Sequence, residues 1–132
     1  MNKPSKRFLM AGAFSALLAV VLGAFGAHAL ENRLTADMLA VFETANTFHF
    51  YHSLALLAVG FLAQHASGKW LSASGWCFIA GLLFFSGSLY VMTLSGIRVL
   101  GAITPVGGVF LILGWALFTI GTYVAAAPIT ND

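Results

Sequence analysis

Four apolar runs separated by short polar connections constrain this chain more than any other feature of its sequence. The runs lie at about 8–30, 47–65, 72–94 and 104–126, and no Asp, Glu, Lys or Arg falls inside them. Each is close to the roughly 20 residues with which an α-helix crosses a bilayer core of about 30 Å. Backbone groups in hydrocarbon must pair within their own segment, so helices are expected. The pattern predicts an all-α integral membrane protein with four transmembrane helices in one domain, 1–132.

Composition excludes most soluble and nucleic-acid-binding classes of protein. Of the 132 residues, 60% are hydrophobic and only 8% are charged, whereas a soluble domain carries about 25% charged residues. The formal net charge is +2, and its basic residues are too scattered to form a patch for nucleic acid. The single cysteine, Cys77, excludes an intramolecular disulfide and a cysteine-based metal framework. Lipid is the partner that this composition requires, and no cofactor is indicated.

Local signals predict where the helices begin and end. Thr35, two residues before Asp37, is a typical N-cap, so the second helix should begin near residue 35, well before its membrane-crossing part. Its first turns, about 35–46, would form an amphipathic extension at the interface. The other expected signals are a stop at Gly68, a cap of the third helix at Ser72 or Ser74, and an opening of the fourth at Thr104-Pro105.

Basic residues predict the orientation of the helices. With a cytoplasmic N-terminus, the inner side carries Lys3, Lys6, Arg7 and Lys69, and the outer side carries Arg33 and Arg98. Because basic residues are in excess on the cytoplasmic side, both termini are expected there. One alternative concerns Ala27-His28-Ala29, which resembles the cleavage site of a secretory signal peptide. The preceding apolar run of about twenty residues is longer than the roughly 7–15 of such a peptide, so an uncleaved first helix is favoured.

Small and weakly polar residues recur every seven positions in each run. They are Gly12, Ala19 and Gly26; Asn46, Ser53 and Gly60; Ser74, Gly81, Ser88 and Ser95; and Gly107, Gly114 and Gly121. Seven residues are nearly two helical turns, so each set forms a stripe down one side of its helix. In lipid, small residues let backbones approach, and close packing drives association. The stripes predict a left-handed antiparallel bundle with crossing angles near +20° and no wide pore.

A polar cluster is expected near the outer interface. Its candidate members are His28, Glu43, Asn46, His49, His52 and Arg98. Ionisable residues at membrane depth are functional candidates. His49 lies about 10 Å from the middle of its span at 1.5 Å per residue, so the cluster avoids the bilayer centre. At about 100° per residue His49 faces the bundle, His52 lies about 60° further round, and His28 points away from the stripe of its own helix.

Two interpretations of the histidines remain open. A structural His49 would donate a ring N–H to a neighbouring carbonyl, hydroxyl or Glu43, and this is the favoured one. The sharper interpretation is a metal or haem site built from His28, His49 and His52, although no spacing specifies a further ligand. Glu43 and Arg98 either form an ion pair or are two solvated charges. No catalytic or phosphate-binding motif occurs, so an enzyme is not expected.

Four strings of the sequence, taken in this order, resemble a known family. They are GAFGAHAL at 23–30, FETANTFHFYHSLALL at 42–57, GSLY at 87–90 and LGAITPVGG at 100–108. They resemble the small bacterial membrane proteins of the domain-of-unknown-function 423 family, related to eukaryotic transmembrane protein 256. The resemblance covers roughly Gly12 to Trp115.

The resemblance implies a multi-pass protein, which in Gram-negative bacteria lies in the inner membrane, and it carries no established activity. Recurrent motifs of the family fall on Gly23, Gly26, His28, Thr44, His52, Ser88, Thr104, Pro105 and Gly107. We therefore expect a structural or accessory role in a larger membrane complex, with a membrane-protein partner or a second copy of the chain. The alternative from a different class is a small-molecule or ion transporter with a polar site near the outer interface.

Overall fold

The computed structural model of the protein describes residues 3–66 and 68–126, and this part of the chain is helical with short connections and no strand. It comprises a first helix at Lys3–Leu30, a second at Ala36–His65, a third at Lys69–Ser95, a 3-10 turn at Arg98–Ala102 and a fourth helix at Thr104–Ala126. The first helix ends in a π-helical turn, Gly26–Leu30, and the third contains another, Leu83–Gly87. The predicted all-α fold is confirmed.

Three helical segments among the described residues are long and apolar enough to cross a membrane. They are Lys3–Leu30, Lys69–Ser95 and Arg98–Ala126. The second helix, although 30 residues long, is not one of them, because polar side chains such as Asn46, His49 and His52 interrupt its apolar run. Its amphipathic first turns are continuous with the rest of the helix, and Phe42 within them is buried.

The predicted helix signals are partly right. Thr35 is the N-cap of the second helix, which begins at Ala36, and the Met38 N–H donates to the Thr35 hydroxyl at 3.3 Å. The predicted cap at Ser72 or Ser74 is wrong. The third helix begins at Lys69, directly after Gly68. Ser74 is buried in the helix and needs an acceptor there, so its hydroxyl serves packing and not capping.

The fourth helix begins at Thr104 as predicted, but the Thr104 hydroxyl does not cap it. The Ile103 carbonyl accepts hydrogen bonds from the backbone N–H groups of Val106 and Gly107. The Thr104 hydroxyl instead forms a 2.8 Å hydrogen bond with the hydroxyl of Ser88 on the third helix. The residue that the sequence marks as a cap therefore joins two helices.

The stripes of the first and second helices face each other and bring the two backbones together. A Cβ atom on Gly12 would lie 2.8 Å from the Leu57 backbone nitrogen, and one on Gly60 would lie 2.7 Å from the Leu9 backbone nitrogen. The Ser5 hydroxyl donates to the Gly60 carbonyl at 2.8 Å. At the other end, a Cβ on Gly26 would overlap the Phe42 ring at 2.5 Å. The helices thus form an antiparallel pair in contact along most of their length.

The stripes of the third and fourth helices form a second pair of the same kind. The Ser74 hydroxyl donates to the Gly114 carbonyl at 2.8 Å. A Cβ on Gly121 would lie 3.2 Å from the Leu71 backbone nitrogen, and one on Gly107 would overlap the Phe85 backbone. Of the remaining stripe residues, Ala19, Ser53, Gly81 and Ser88 are buried and Asn46 is half-buried. Ser95, the last residue of the third helix, is exposed and lies beyond this seam.

The four stripes therefore form two separate seams and not one common centre. Large apolar side chains join the two helix pairs. One cluster contains Phe8, Ala55, Leu56, Val59, Phe78, Leu82 and Leu111, and the other contains Leu30, Phe42, Ala45, Leu89, Tyr90 and Met92. Small residues close each hairpin, and bulky residues fill the space between the hairpins, as the two kinds of contact require.

Replacing Gly107 by alanine should destabilise the fold, whereas the same change at Gly108 should not. A Cβ on Gly107 would overlap backbone atoms of Phe84 and Phe85, and overpacking of this kind costs about 1–3 kcal/mol. A Cβ on Gly108 would lie 3.8 Å from the Phe85 ring, and alanine favours a helix over glycine by roughly 0.5–1 kcal/mol. Thermal unfolding in detergent should show a lower Tm for Gly107→Ala alone, and equal melting would contradict the seam.

Candidate functional site

A chain of hydrogen bonds crosses the first three helices at the level of His49. The His49 ring forms 3.0 Å hydrogen bonds through Nδ1 to the Tyr90 hydroxyl and through Nε2 to the Ser15 hydroxyl. The Asn46 amide N–H groups donate to the Tyr90 hydroxyl at 3.1 Å and to the Ala19 carbonyl at 2.7 Å. We call the side chains of Ser15, Asn46, His49, Ser53 and Tyr90 the polar network.

The direction of every hydrogen bond in the polar network follows from its last member. The Ser53 hydroxyl donates to the His49 carbonyl at 2.7 Å, so it accepts in its 2.6 Å contact with Ser15, and Ser15 donates. Ser15 has one hydrogen, so its oxygen accepts from His49 Nε2. His49 is then a neutral ring with its proton on Nε2, and the Tyr90 hydroxyl donates to Nδ1. Every hydrogen in the network has an acceptor.

His52 makes an independent contact on another side of the second helix. Its Nδ1 donates to the Phe48 carbonyl at 2.7 Å, and its Nε2 accepts from the indole N–H of Trp115 at 3.1 Å. His52 is therefore also a neutral ring, with its proton on the opposite nitrogen from that of His49. The Trp115 ring also packs on Phe78, with centroids 5.2 Å apart. This contact links the second helix to the fourth.

The structure separates the six predicted cluster residues. Asn46 and His49 share the polar network, His52 is buried against Trp115, and His28, Glu43 and Arg98 are exposed. Within the described residues, no ion pair joins Glu43 to Arg98, and no three His, Cys, Asp or Glu side chains are close enough to hold a metal ion together. The free lone pairs of His49 and His52 are used by Tyr90 and Trp115, whereas a metal or haem iron would need them.

Sequence reasoning found the centre of the network and missed its partners. Helical geometry correctly predicts that His49 faces the bundle. Its partners Ser15 and Tyr90 lie on other helices, and their heights relative to His49 depend on how the helices pack against one another. Ser86 of the third helix donates to the Ala45 carbonyl of the second helix at 2.8 Å. Thr93 bonds within its own helix, to the Leu89 carbonyl.

A groove runs between the first and third helices, with the second helix as its floor. Its volume is about 360 Å³. Apolar side chains such as Leu18, Leu22 and Leu83 form most of its lining. The polar residues of the lining are Ser15, His49, Ser86 and Tyr90.

Comparison with known proteins gives the family. A family model described as "Protein of unknown function (DUF423)" matches residues 22–108. An UPF0382 membrane protein of Staphylococcus saprophyticus is 49% identical over 120 residues, which are 89% of this chain and 98% of the relative. The UPF0382 membrane protein YwdK of Bacillus subtilis is 47% identical over 116 residues, which are 87% of this chain and 94% of the relative. The chain belongs to this family.

Membership confirms the resemblance found in the sequence and makes the chain a membrane protein of an uncharacterised family. A relative from Staphylococcus aureus, at 46% identity over 118 residues, has the same kind of name, an UPF0382 membrane protein. No solved structure matches the chain. The names of these relatives indicate no specific activity, so function has to be argued from the geometry.

Removing the Tyr90 hydroxyl should destabilise the protein. In Tyr90→Phe the Asn46 N–H loses an acceptor and His49 Nδ1 loses a donor. Leaving buried partners unpaired costs about 1–3 kcal/mol, although hydrogen bonds in membrane proteins often contribute less, about 0.6 kcal/mol. Tyr51→Phe is the control, because Tyr51 is 62% exposed on the second helix. Thermal unfolding in detergent should show a drop in Tm for Tyr90→Phe only, and an unchanged Tm would argue against the network.

Proposed function

We propose that this protein is a four-span accessory protein of the cytoplasmic membrane that acts by binding other membrane components and not by catalysis or transport. This proposal rests on the observation that the polar side chains within the bundle already hydrogen-bond to other groups of the chain. Among the described residues, no buried side-chain nitrogen or oxygen lacks a hydrogen-bond partner. A site that handles a polar substrate needs polar groups free to exchange partners, and the amide, imidazole and hydroxyl hydrogens of the polar network are all engaged within the chain.

The polar network also argues against the transporter alternative. Its hydrogens run in one direction from Asn46 through His49 to Ser53, and the last one ends on the His49 backbone carbonyl. A carbonyl has no proton to pass on, so the chain of bonds is closed to proton relay. Glu43, the one carboxylate of the candidate cluster, is exposed and outside the network. Coupled transporters usually hold an ionisable group inside the membrane, and the ionisable groups held here, His49 and His52, have both ring nitrogens engaged by hydrogen bonds within the chain.

Four spans are supported by the contact between the first two helices. The second helix packs antiparallel against the first from Phe42, opposite Gly26, to Gly60, opposite Leu9 and Ser5. If the first helix crosses the bilayer, a helix in contact with it over this length must cross too. Its polar residues are tolerated at that depth because the first, third and fourth helices satisfy them.

We also propose left-handed crossings within the bundle and cytoplasmic termini. Left-handed crossings are supported by contacts that recur every seven residues along both seams, since heptad spacing keeps a seam in register only in a left-handed supercoil. Cytoplasmic termini are supported by the exposed basic residues Lys3, Lys6, Arg7 and Lys69 at the ends of the helices that would lie inside.

Cysteine accessibility tests the span count. In a Cys77→Ser background, Arg33→Cys and Lys69→Cys lie at opposite ends of the second helix, so only Arg33→Cys should react with an impermeant maleimide added to cells whose cytoplasmic membrane is intact. Lys69→Cys should react only after lysis. Arg98→Cys is the control and should behave like Arg33→Cys, because the third helix separates it from Lys69. Labelling of Arg33→Cys and Lys69→Cys from the same side would overturn the four-span proposal.

Reconstitution and native electrophoresis together test the accessory role. Proteoliposomes of the purified chain should pass protons and K⁺ no faster than vesicles without protein. The tagged chain, extracted in mild detergent, should migrate with one larger membrane complex at a fixed ratio. A flux that persists in Tyr51→Phe and disappears in His49→Ala would overturn the proposal in favour of transport. Migration of the chain alone would contradict the accessory role.

A further inference from the structure

The groove between the first and third helices is long and narrow. Its lining runs from Ala11 to Leu22 on the first helix and from Ile79 to Tyr90 on the third. On each helix these bounds are eleven residue steps apart, which at 1.5 Å per step gives a groove length of about 16 Å. The volume of about 360 Å³ divided by this length gives a mean cross-section of about 22 Å².

This cross-section decides what kind of molecule the groove can take. An α-helix with side chains is roughly 10–12 Å wide, so its cross-section of about 80 Å² or more excludes a partner helix from lying inside. A polymethylene chain touches its neighbours at about 4 Å between carbons, which gives a cross-section of about 15–20 Å². The groove is therefore too narrow for a helix and wide enough for a hydrocarbon chain.

The polar atoms of the groove restrict the chemistry further. The hydrogens of Ser15, His49 and Tyr90 all go to other members of the polar network, and the hydroxyl hydrogen of Ser86, which also lines the groove, goes to the Ala45 carbonyl. The Ser15 and Tyr90 oxygens each keep one lone pair. This wall can accept a hydrogen bond and cannot donate one. It suits a hydroxyl group, and it offers nothing to a carboxylate, a phosphate or an ester carbonyl.

The depth of the groove points to an uncharged occupant. Leu18, near the middle of the lining on the first helix, is also near the middle of Lys3–Leu30. A charged headgroup at that level would meet hydrocarbon on its open side, which is strongly unfavourable. A neutral hydroxyl loses less on leaving water and regains a hydrogen bond from the wall.

We propose that the groove binds one long hydrocarbon chain that carries a hydroxyl group, as in a long-chain or isoprenoid alcohol. The chain packs along Leu18, Leu22 and Leu83, and its hydroxyl donates to the oxygen of Ser15 or Tyr90. Nothing in the family description assigns a ligand, and this site is independent of the accessory role because it concerns a lipid and not a protein partner.

Photocrosslinking tests the site. The full chain is reconstituted in phosphatidylcholine vesicles with a long-chain alcohol that bears a diazirine in its chain, or with the methyl ether of the same probe. Labelled peptides are identified by mass spectrometry. The alcohol should label groove-lining residues of the first and third helices about three-fold more than the ether, because one hydrogen bond in this setting contributes modestly.

Matched variants locate the labelling. Leu18→Trp fills the groove and should lower labelling several-fold, whereas Leu17→Trp, on the neighbouring 58% exposed position outside the groove, should leave it unchanged. If Leu18→Trp does not fold, Leu83→Trp with its control Leu94→Trp serves instead, since both positions are exposed.

Labelling that is insensitive to the groove-filling variant, or that falls equally on lipid-facing residues elsewhere, would overturn the site. Equal labelling by alcohol and ether would overturn the assignment of a hydroxyl-bearing chain and would identify the acyl chain of an ordinary phospholipid as the occupant. A protein-dependent flux of protons or K⁺ in the vesicles would contradict the accessory role and would not affect the groove proposal. The two proposals therefore fail separately.

Discussion

The interior of this protein depends on one constraint, which is that a polar group in hydrocarbon must find its partner inside the chain. Ser5, Ser74 and Ser86 each meet it by donating to a backbone carbonyl of another helix. A carbonyl that already accepts a helical hydrogen bond has a second lone pair, so these bonds add to the helices without breaking them. They also require the backbones to be very close, which explains why glycine lies opposite or beside each serine.

The same constraint accounts for the second helix. By composition it is not a candidate membrane span, and its residues Asn46, His49 and His52 are paired with residues of the first, third and fourth helices. His49 and His52 hold opposite tautomers because the acceptor lies at a different ring nitrogen in each. It is the Ser15 hydroxyl at Nε2 of His49 and the Phe48 carbonyl at Nδ1 of His52. Polarity here is a property of the assembled bundle, in which this helix supplies the groups and its neighbours supply the partners.

The fold was largely predictable from sequence, and the candidate site only in part. Apolar run length and missing charges predict the helices, and seven-residue spacing predicts which residues, such as Gly12 and Gly114, lie at contacts. The short connections explain why the stripes of consecutive helices pack against each other. The seven-residue spacing alone does not predict which stripe packs against which. Tyr90 could not be matched to His49, because a face can be read from one helix whereas relative height requires two. Ser74 was misassigned as a cap because a hydroxyl near a helix start has two possible uses, and burial decides between them.

The division into two glycine-zipped hairpins has a consequence for how the chain is made. The first hairpin contains both of its seam partners, Ser5 to Gly26 and Phe42 to Gly60, before any of the second has been synthesised. The first helix pair can therefore associate on its own, and the second pair can do the same in turn. Only the packing of the apolar faces between the two pairs, and the hydrogen bond of Tyr90 to His49, require the complete chain. Docking of the two helix pairs therefore adds the bonds of Tyr90 to a polar network whose other members, Ser15, Asn46, His49 and Ser53, already lie together in the first pair.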